Sequence, residues 1–224
     1  MTTANSLALL TVRGTVAART LEQACKLHNE TAGSPEGMAA ARALGDLSHK
    51  VYTAVPGAPG ADPSEVMFLD FWMTAHGIGQ FFSDPQVQGM AGKLFSTRDG
   101  VVWTPARGAF SFHLPPPASK PDRYLGVIRG PVNSVENAVQ TFGQTVSESL
   151  SKARQRGQIS HELFVRAAMP GAPDQPEMLG VDLWCDASGM MEHYRSLQGV
   201  YSEFKGAPQT SVWQQPQGPA WSEW

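Results

Sequence analysis

Two related stretches carry the residues best suited to moving protons. The first is Met67-Phe-Leu-Asp-Phe-Trp-Met-Thr-Ala-His76 and the second Leu179-Gly-Val-Asp-Leu-Trp-Cys-Asp-Ala-Ser188. Asp70, His76, Asp182 and Asp186 are the candidate catalytic groups. A carboxylate or an imidazole of near-neutral proton affinity, held in a dry site, can take a proton from a weakly acidic substrate. Trp72 and Trp184, each two residues after an aspartate, would form the walls of a pocket that is mostly apolar with a few polar anchors. Arg13 and Arg129 each precede a glycine and could clamp a substrate carboxylate through two parallel hydrogen bonds. Tyr52 and His113 complete the candidate substrate-binding set.

A structural role is also open to each group. Asp70 and Asp182 could be tied to backbone or to Arg13 and Arg129, holding sheets in register. His76 could be a surface or capping residue at a helix start, where the helix dipole disfavours the imidazolium. His49 and His161 open the strand before each aspartate and suit a structural hydrogen bond. Metal binding finds no support: the six histidines are scattered, without His-x-His or His-Glu-x-x-His. No Cys-x-x-Cys-His, phosphate loop or Gly-x-Gly-x-x-Gly is present. We therefore expect no metal and no bound organic cofactor. Cys25 and Cys185 form neither a ligand pair nor a disulfide framework, and Met190 and Met191 read as core filler.

The elements that must position these groups come in two copies. Asp70 and Asp182 are 112 positions apart, as are Trp72 and Trp184, Ala75 and Ala187, Ser48-His49 and Ser160-His161, and Tyr52 and Phe164. A fixed offset of this kind marks an internal repeat. In the first copy a strand from Leu7 to Val12 leads to helical sequence over 17–47, interrupted at Gly33-Ser-Pro-Glu-Gly37, where Ser34 and Pro35 restart a helix. A strand over 49–55, a Pro/Gly hairpin loop, the strand bearing Asp70, and a helix from Ala75 to Phe82 follow. Asp84-Pro85 opens a further helical piece, and Gly100–Thr104 is the last strand. The second copy repeats this from Tyr124, with one unbroken helix from Ser134 to about Arg156 and a last strand at Thr210–Gln214.

Each copy thus reads β-α-β-β-α-β, the ferredoxin-like order. The fold class expected is α+β: two tandem ferredoxin-like units, 1–115 and 123–224, joined by a stiff Pro-rich linker at 116–122. A lone sheet of this type leaves one face bare. Covering about 500 Å² of it is worth on the order of 12 kcal/mol before entropy costs, so we expect the units to pack sheet to sheet as an intrachain pseudo-dimeric α/β barrel. Strand alternation then puts Leu69, Phe71 and Met73 under the helices. Asp70, Trp72 and Thr74, with Asp182, Trp184 and Asp186, would face the space between the sheets.

The stretch Gln80-Phe-Phe-Ser-Asp-Pro-Gln-Val-Gln-Gly-Met90 is similar to the second helix of the dimeric α/β-barrel superfamily, which includes antibiotic-biosynthesis-type monooxygenases and stress-responsive A/B barrel proteins. That family often has a His or Phe where Gln86 and Val87 stand, and the second-copy stretch from Tyr194 to Tyr201 lacks the proline break. The resemblance implies a range of activities: cofactor-free oxygenases, lactone isomerases, decarboxylases and haem-using relatives. Joined to the aspartate–tryptophan strands, it suggests an enzyme acting on an aromatic or polyketide-like compound by proton abstraction, leading to oxygenation, elimination or isomerisation. The alternatives are a non-catalytic ligand-binding or stress-related barrel, and a haem-binding relative.

The formal charge of −3 on 224 residues gives no reason to expect nucleic acid or an acidic membrane surface. The start of the chain lacks the charged region of a signal peptide, and no run approaches the roughly 20 apolar residues of a membrane span. A cytoplasmic protein with a small-molecule partner is expected, with a homodimer as a further option.

Overall fold

The structure is a computed structural model and describes residues 7–58, 61–118, 123–169, 175–197 and 199–224. It divides into two compact units, Met1–Thr104 with Gln215–Trp224, and Pro105–Gln214. The last ten residues therefore pack with the first unit. The tip of the second hairpin loop and most of the proposed linker lie outside the described residues.

In the first unit the elements are β1 (Ala8–Val16), α1 (Leu21–Asn29), α2 (Pro35–Ala43), β2 (Asp46–Ala54), β3 (Glu65–Trp72), α3 (Ala75–Ser83), α4 (Pro85–Leu94) and β4 (Phe95–Pro105). The strands are antiparallel in the order β4-β1-β3-β2. The second unit has β5 (Phe112–His113), β6 (Tyr124–Pro131), α5 (Val135–Gln155), β7 (Gln158–Arg166), β8 (Glu177–Trp184), α6 (Ala187–Ser196), a 3₁₀ turn (Gly199–Glu203) and β9 (Gln209–Gln214). Its order is β9-β6-β8-β7-β5, again antiparallel. Both match the ferredoxin-like order, with β5 added at one edge.

Local chemistry explains the helix starts. Ser34, Asp84 and Ser134 each accept a backbone N–H from the first turn of α2, α4 and α5. Thr74 and Asp186 do the same for α3 and α6. Each of these side chains satisfies one of the otherwise orphaned amide groups of a helix start. Two glycine pairs at the 112 offset have matching surroundings in the two units. Gly45 and Gly157 both have φ of +100°, a conformation that suits residues without a Cβ. A Cβ on Gly77 would lie 2.1 Å from the Leu44 carbonyl oxygen, and one on Gly189 2.0 Å from that of Arg156.

One expectation is overturned. Trp72 and Trp184 lie on the helix-covered face of their sheets. Trp72 packs with Ala24, Ala41, Ile78 and Phe81 of the helices, and Trp184 with Ala153 and Met190. Leu69 and Phe71 occupy the opposite face, and Met73, past the strand end, is exposed. The uniformly apolar side of the strand does not go under the helices because the polar side satisfies itself there: Asp70 finds His49 on the neighbouring strand. A buried polar group whose hydrogen bonds are made is tolerated in a core.

The segment Gln215–Trp224 lies along the edge of β2. His49 N–H donates to the Trp224 carbonyl at 2.8 Å, and Trp224 N–H returns a bond to the His49 carbonyl at 3.2 Å. Trp221 is buried against Phe68 and His28. In the second unit β5 occupies the matching place, with Phe112 opposite His161. Phe112 and Trp224 are also 112 positions apart.

Candidate functional site

Each unit holds a His–Asp pair made across the two strands of its hairpin, both side chains buried in the first unit and the aspartate half-buried in the second. In the first, Asp70 is the cross-strand neighbour of His49, and His49 Nδ1 lies 2.5 Å from Asp70 Oδ1. In the second, Asp182 stands opposite His161, and His161 Nδ1–H donates to Asp182 Oδ1 at 2.7 Å. Both strand pairs shift register just before the histidine, between Asp46 and Ser48 and between Gln158 and Ser160. The shift puts histidine and aspartate side chains on one face as direct neighbours. An aspartate on Nδ1–H holds the ring in the tautomer whose Nε2 carries the basic lone pair, the arrangement that prepares a histidine for general-base work.

The two pairs differ in what meets Nε2. In the first unit His49 Nε2 faces His28 Nε2 at 3.1 Å, and His28 Nδ1 faces Asn29 Oδ1 at 3.1 Å. The Asn29 amide is fixed by backbone: its Oδ1 accepts Ser222 N–H and its Nδ2 donates to the Ala220 carbonyl, both at 2.8 Å. His28 must therefore donate through Nδ1–H. Burial pushes the proton affinity of His28 down to about 4, helped by the facing His49, so its Nε2 is a bare acceptor. His49 must then donate through Nε2–H, and one proton is left between His49 Nδ1 and Asp70 Oδ1. The line has no free lone pair, and Trp224 stacks on the His49 ring with centroids 4.7 Å apart. It is a closed network of the kind that rigidifies a core.

In the second unit the residue matching His28, eight positions past the cap of its helix, is Phe142. His161 Nε2 accordingly has no partner among the described residues, and neither does His193 Nδ1. Both histidines are buried. Asp182 is held by three donors: His161, Gln158 Nε2–H to Oδ1 at 3.0 Å, and Tyr194 O–H to Oδ2 at 2.7 Å. Trp184 Nε1–H donates to the Tyr194 oxygen at 3.1 Å. The phenol keeps its proton, since burial and the Asp182 charge raise its pKa well above the usual value. An unpartnered buried imidazole nitrogen beside a three-donor carboxylate is the strongest chemical feature in the molecule, because native interiors rarely leave such groups unpaired.

The other candidates are dispersed. Arg13 pairs with Glu65 at 2.6 Å, and Arg129 with Glu177 at 2.6 Å; neither pairing is with Asp70 or Asp182. His76 is exposed in the first turn of α3. Asp186 caps α6, accepting Gly189 N–H at 3.0 Å. Tyr52 is buried on the sheet face opposite Asp70, and His113 is exposed on β5. No group of three or more metal-ligating side chains occurs among the described residues. From the sequence alone His49 and His161 read as structural, and His28, Gln158 and Tyr194 do not stand out. A signal is nevertheless present: histidine and aspartate are 21 residues apart in both units, on adjacent strands of one hairpin.

The first unit also has a pH signature. Burial and the Asp70 charge push the Asp46 carboxyl up to about 7 from 3.8. Its contribution to stability is complete below about pH 4 and lost as pH rises towards 7. His28, down at about 4 from 6.5, contributes fully above 6.5 and loses that as pH falls towards 4. The two oppose one another between about pH 4 and 6.5, so stability should be nearly flat there. Asp46→Asn removes the first and should leave stability rising with pH across that window. Urea denaturation at intervals through it checks this; a variant as flat as the parent contradicts it.

No family model matches the chain, and no curated protein matches it. Solved structures do. A proposed monooxygenase of Lactobacillus acidophilus is 9% identical with TM-score 0.57, covering 93% of this chain and 92% of that one. An anthrone oxidase-like protein is 14% identical with TM-score 0.58, covering 95% and 92%. DypB of Rhodococcus jostii, in a complex with haem, is 10% identical with TM-score 0.55, covering 96% and 94%. At these identities the likeness establishes the fold, a mixed α+β ferredoxin-like architecture. No helix of the described residues is long and apolar enough to cross a membrane.

Proposed function

We propose that the chain is a small-molecule enzyme whose second unit abstracts a proton from an apolar aromatic or polyketide-like compound, with His161 as the base and Asp182 as its orienting partner. We further infer that the halves are tandem copies of one ferredoxin-like unit of the dimeric α/β-barrel type, and that only one copy keeps a working base. The observation that carries this reading is the unpartnered, buried Nε2 of His161, beside a first-unit counterpart that His28 closes off. Neutral imidazole held as the Nδ1–H tautomer by a carboxylate is a suitable general base at neutral pH. The carbanion or phenolate left behind can react onward by oxygenation, elimination or isomerisation. The monooxygenase and anthrone oxidase-like neighbours favour oxygenation.

Haem does not suit this site. Trp184 and Met190, both fully buried, fill the volume between β8 and α6 and leave no room there for a group the size of a haem. We therefore propose chemistry without an organic cofactor. The test is oxygen uptake by the purified protein with anthrone and related enolisable aromatic ketones, each compared with His161→Gln. Uptake that is lost in the variant is expected. Absence of uptake across the set, or uptake unaffected by the substitution, overturns the reading, and a Soret band in the absorption spectrum would replace it with a haem protein.

A further inference from the structure

The geometry points to Tyr194 as a positioning residue that sets the proton affinity of His161 through Asp182, an assignment that rests on the reading of His161 as the base. Two paired differences between the units, set beside a shared tryptophan, carry it. At the 112 offset Tyr194 answers Phe82 and Trp184 answers Trp72. The cross-strand neighbour of Asp70 on β1 is Leu10, whereas that of Asp182 on β6 is Gly126. Leu10 is buried and fills the space beside Asp70. At Gly126 a Cβ would lie 1.9 Å from the Tyr194 oxygen and 2.6 Å from two of its ring carbons. The phenol thus occupies the volume that any side chain at 126 would need.

Neither change works alone. Tyrosine opposite a leucine would collide, and glycine opposite a phenylalanine would leave Asp182 short of a donor. Together they bring the Tyr194 O–H to Asp182 Oδ2 at 2.7 Å. The indole N–H of Trp184 takes the phenol oxygen's lone pair at 3.1 Å, so the O–H is left aimed at the carboxylate. In the first unit, where Phe82 has no hydroxyl, Trp72 Nε1 is without a partner among the described residues. Trp184, Tyr194, Asp182 and His161 therefore form one hydrogen-bonded chain that the other copy lacks.

A donor on Oδ2 draws negative charge away from Oδ1. That weakens the pull of Asp182 on the imidazolium form of His161. Removing the hydroxyl raises the proton affinity of His161. NMR titration of the full chain with ¹⁵N-labelled histidine reads this without a substrate. Tyr194→Phe is expected to raise the proton affinity of His161 by about three- to tenfold, since one pKa unit is a tenfold change, with the alkaline shift repeated in the pH profile of anthrone oxidation. Trp184→Phe frees the hydroxyl to rotate and gives a smaller shift in the same direction; it decides the matter should Tyr194→Phe fail to fold. A His161 titration unmoved in the folded variants overturns the assignment. The two readings separate cleanly: uptake lost in His161→Gln with no titration shift removes Tyr194 alone, whereas a titration shift with uptake indifferent to His161→Gln keeps the coupling and removes the base.

Discussion

Asp182→Asn should lower turnover by roughly 10³- to 10⁴-fold while leaving the fold intact, the scale seen when a base is held in the wrong tautomer. The amide can place its N–H₂ opposite His161 Nδ1. Gln158, whose Oε1 has no partner among the described residues, can turn to accept the amide's second hydrogen. Tyr194 keeps an oxygen to donate to. The three contacts of residue 182 are then kept, but His161 must carry its own proton on Nε2, and the lone pair that would attack the substrate is gone. Circular dichroism and thermal unfolding close to those of the parent, with turnover collapsed, is the expected pair of results. Undiminished turnover would show that His161 is not the base.

The same substitution in the first unit should behave differently. With an asparagine amide in place of the Asp70 carboxylate, His49 can accept from that amide at Nδ1 while still donating Nε2–H to His28. The line then loses its shared proton and nothing else. Asp70→Asn should therefore cost about 1 kcal/mol or less, the net worth of one hydrogen bond. Asp70→Ala is expected to cost about 3–5 kcal/mol, because it strands the donor or charge of His49 in a core closed by Phe68, Trp221 and Trp224. Denaturant midpoints of the two variants, compared at one pH, measure the gap. Near-equal losses would mean that the proton assignment for His28 and His49 is wrong.

Much of the scaffold was legible in the chain. The helix caps at Ser34, Asp84 and Ser134 follow from local rules of cap chemistry, and the structure starts helices where those rules put them. The face of the sheet was not legible. Alternation says that Asp70 and Trp72 share a side; it does not say which side the helices take. Partners supplied from elsewhere, His49 from β2 and His28 from α1, make the polar face fit for burial. The site differences were harder still. Phe142 against His28, Gly126 against Leu10 and Tyr194 against Phe82 are single differences between the units whose meaning depends on registers and helix phases that appear only once strands pair. The tail reads as part of the second unit because it follows the second unit in the chain; its tryptophans pack on the first.

The sharpest test is the tautomeric state of the histidines, read from ¹⁵N chemical shifts of the labelled protein near neutral pH. His161 should carry its proton on Nδ1 with Nε2 bare, while His49 should carry a proton on Nε2 and share another with Asp70. A His161 protonated on Nε2, or a His49 with that nitrogen bare, would contradict the assignment of one open and one closed base.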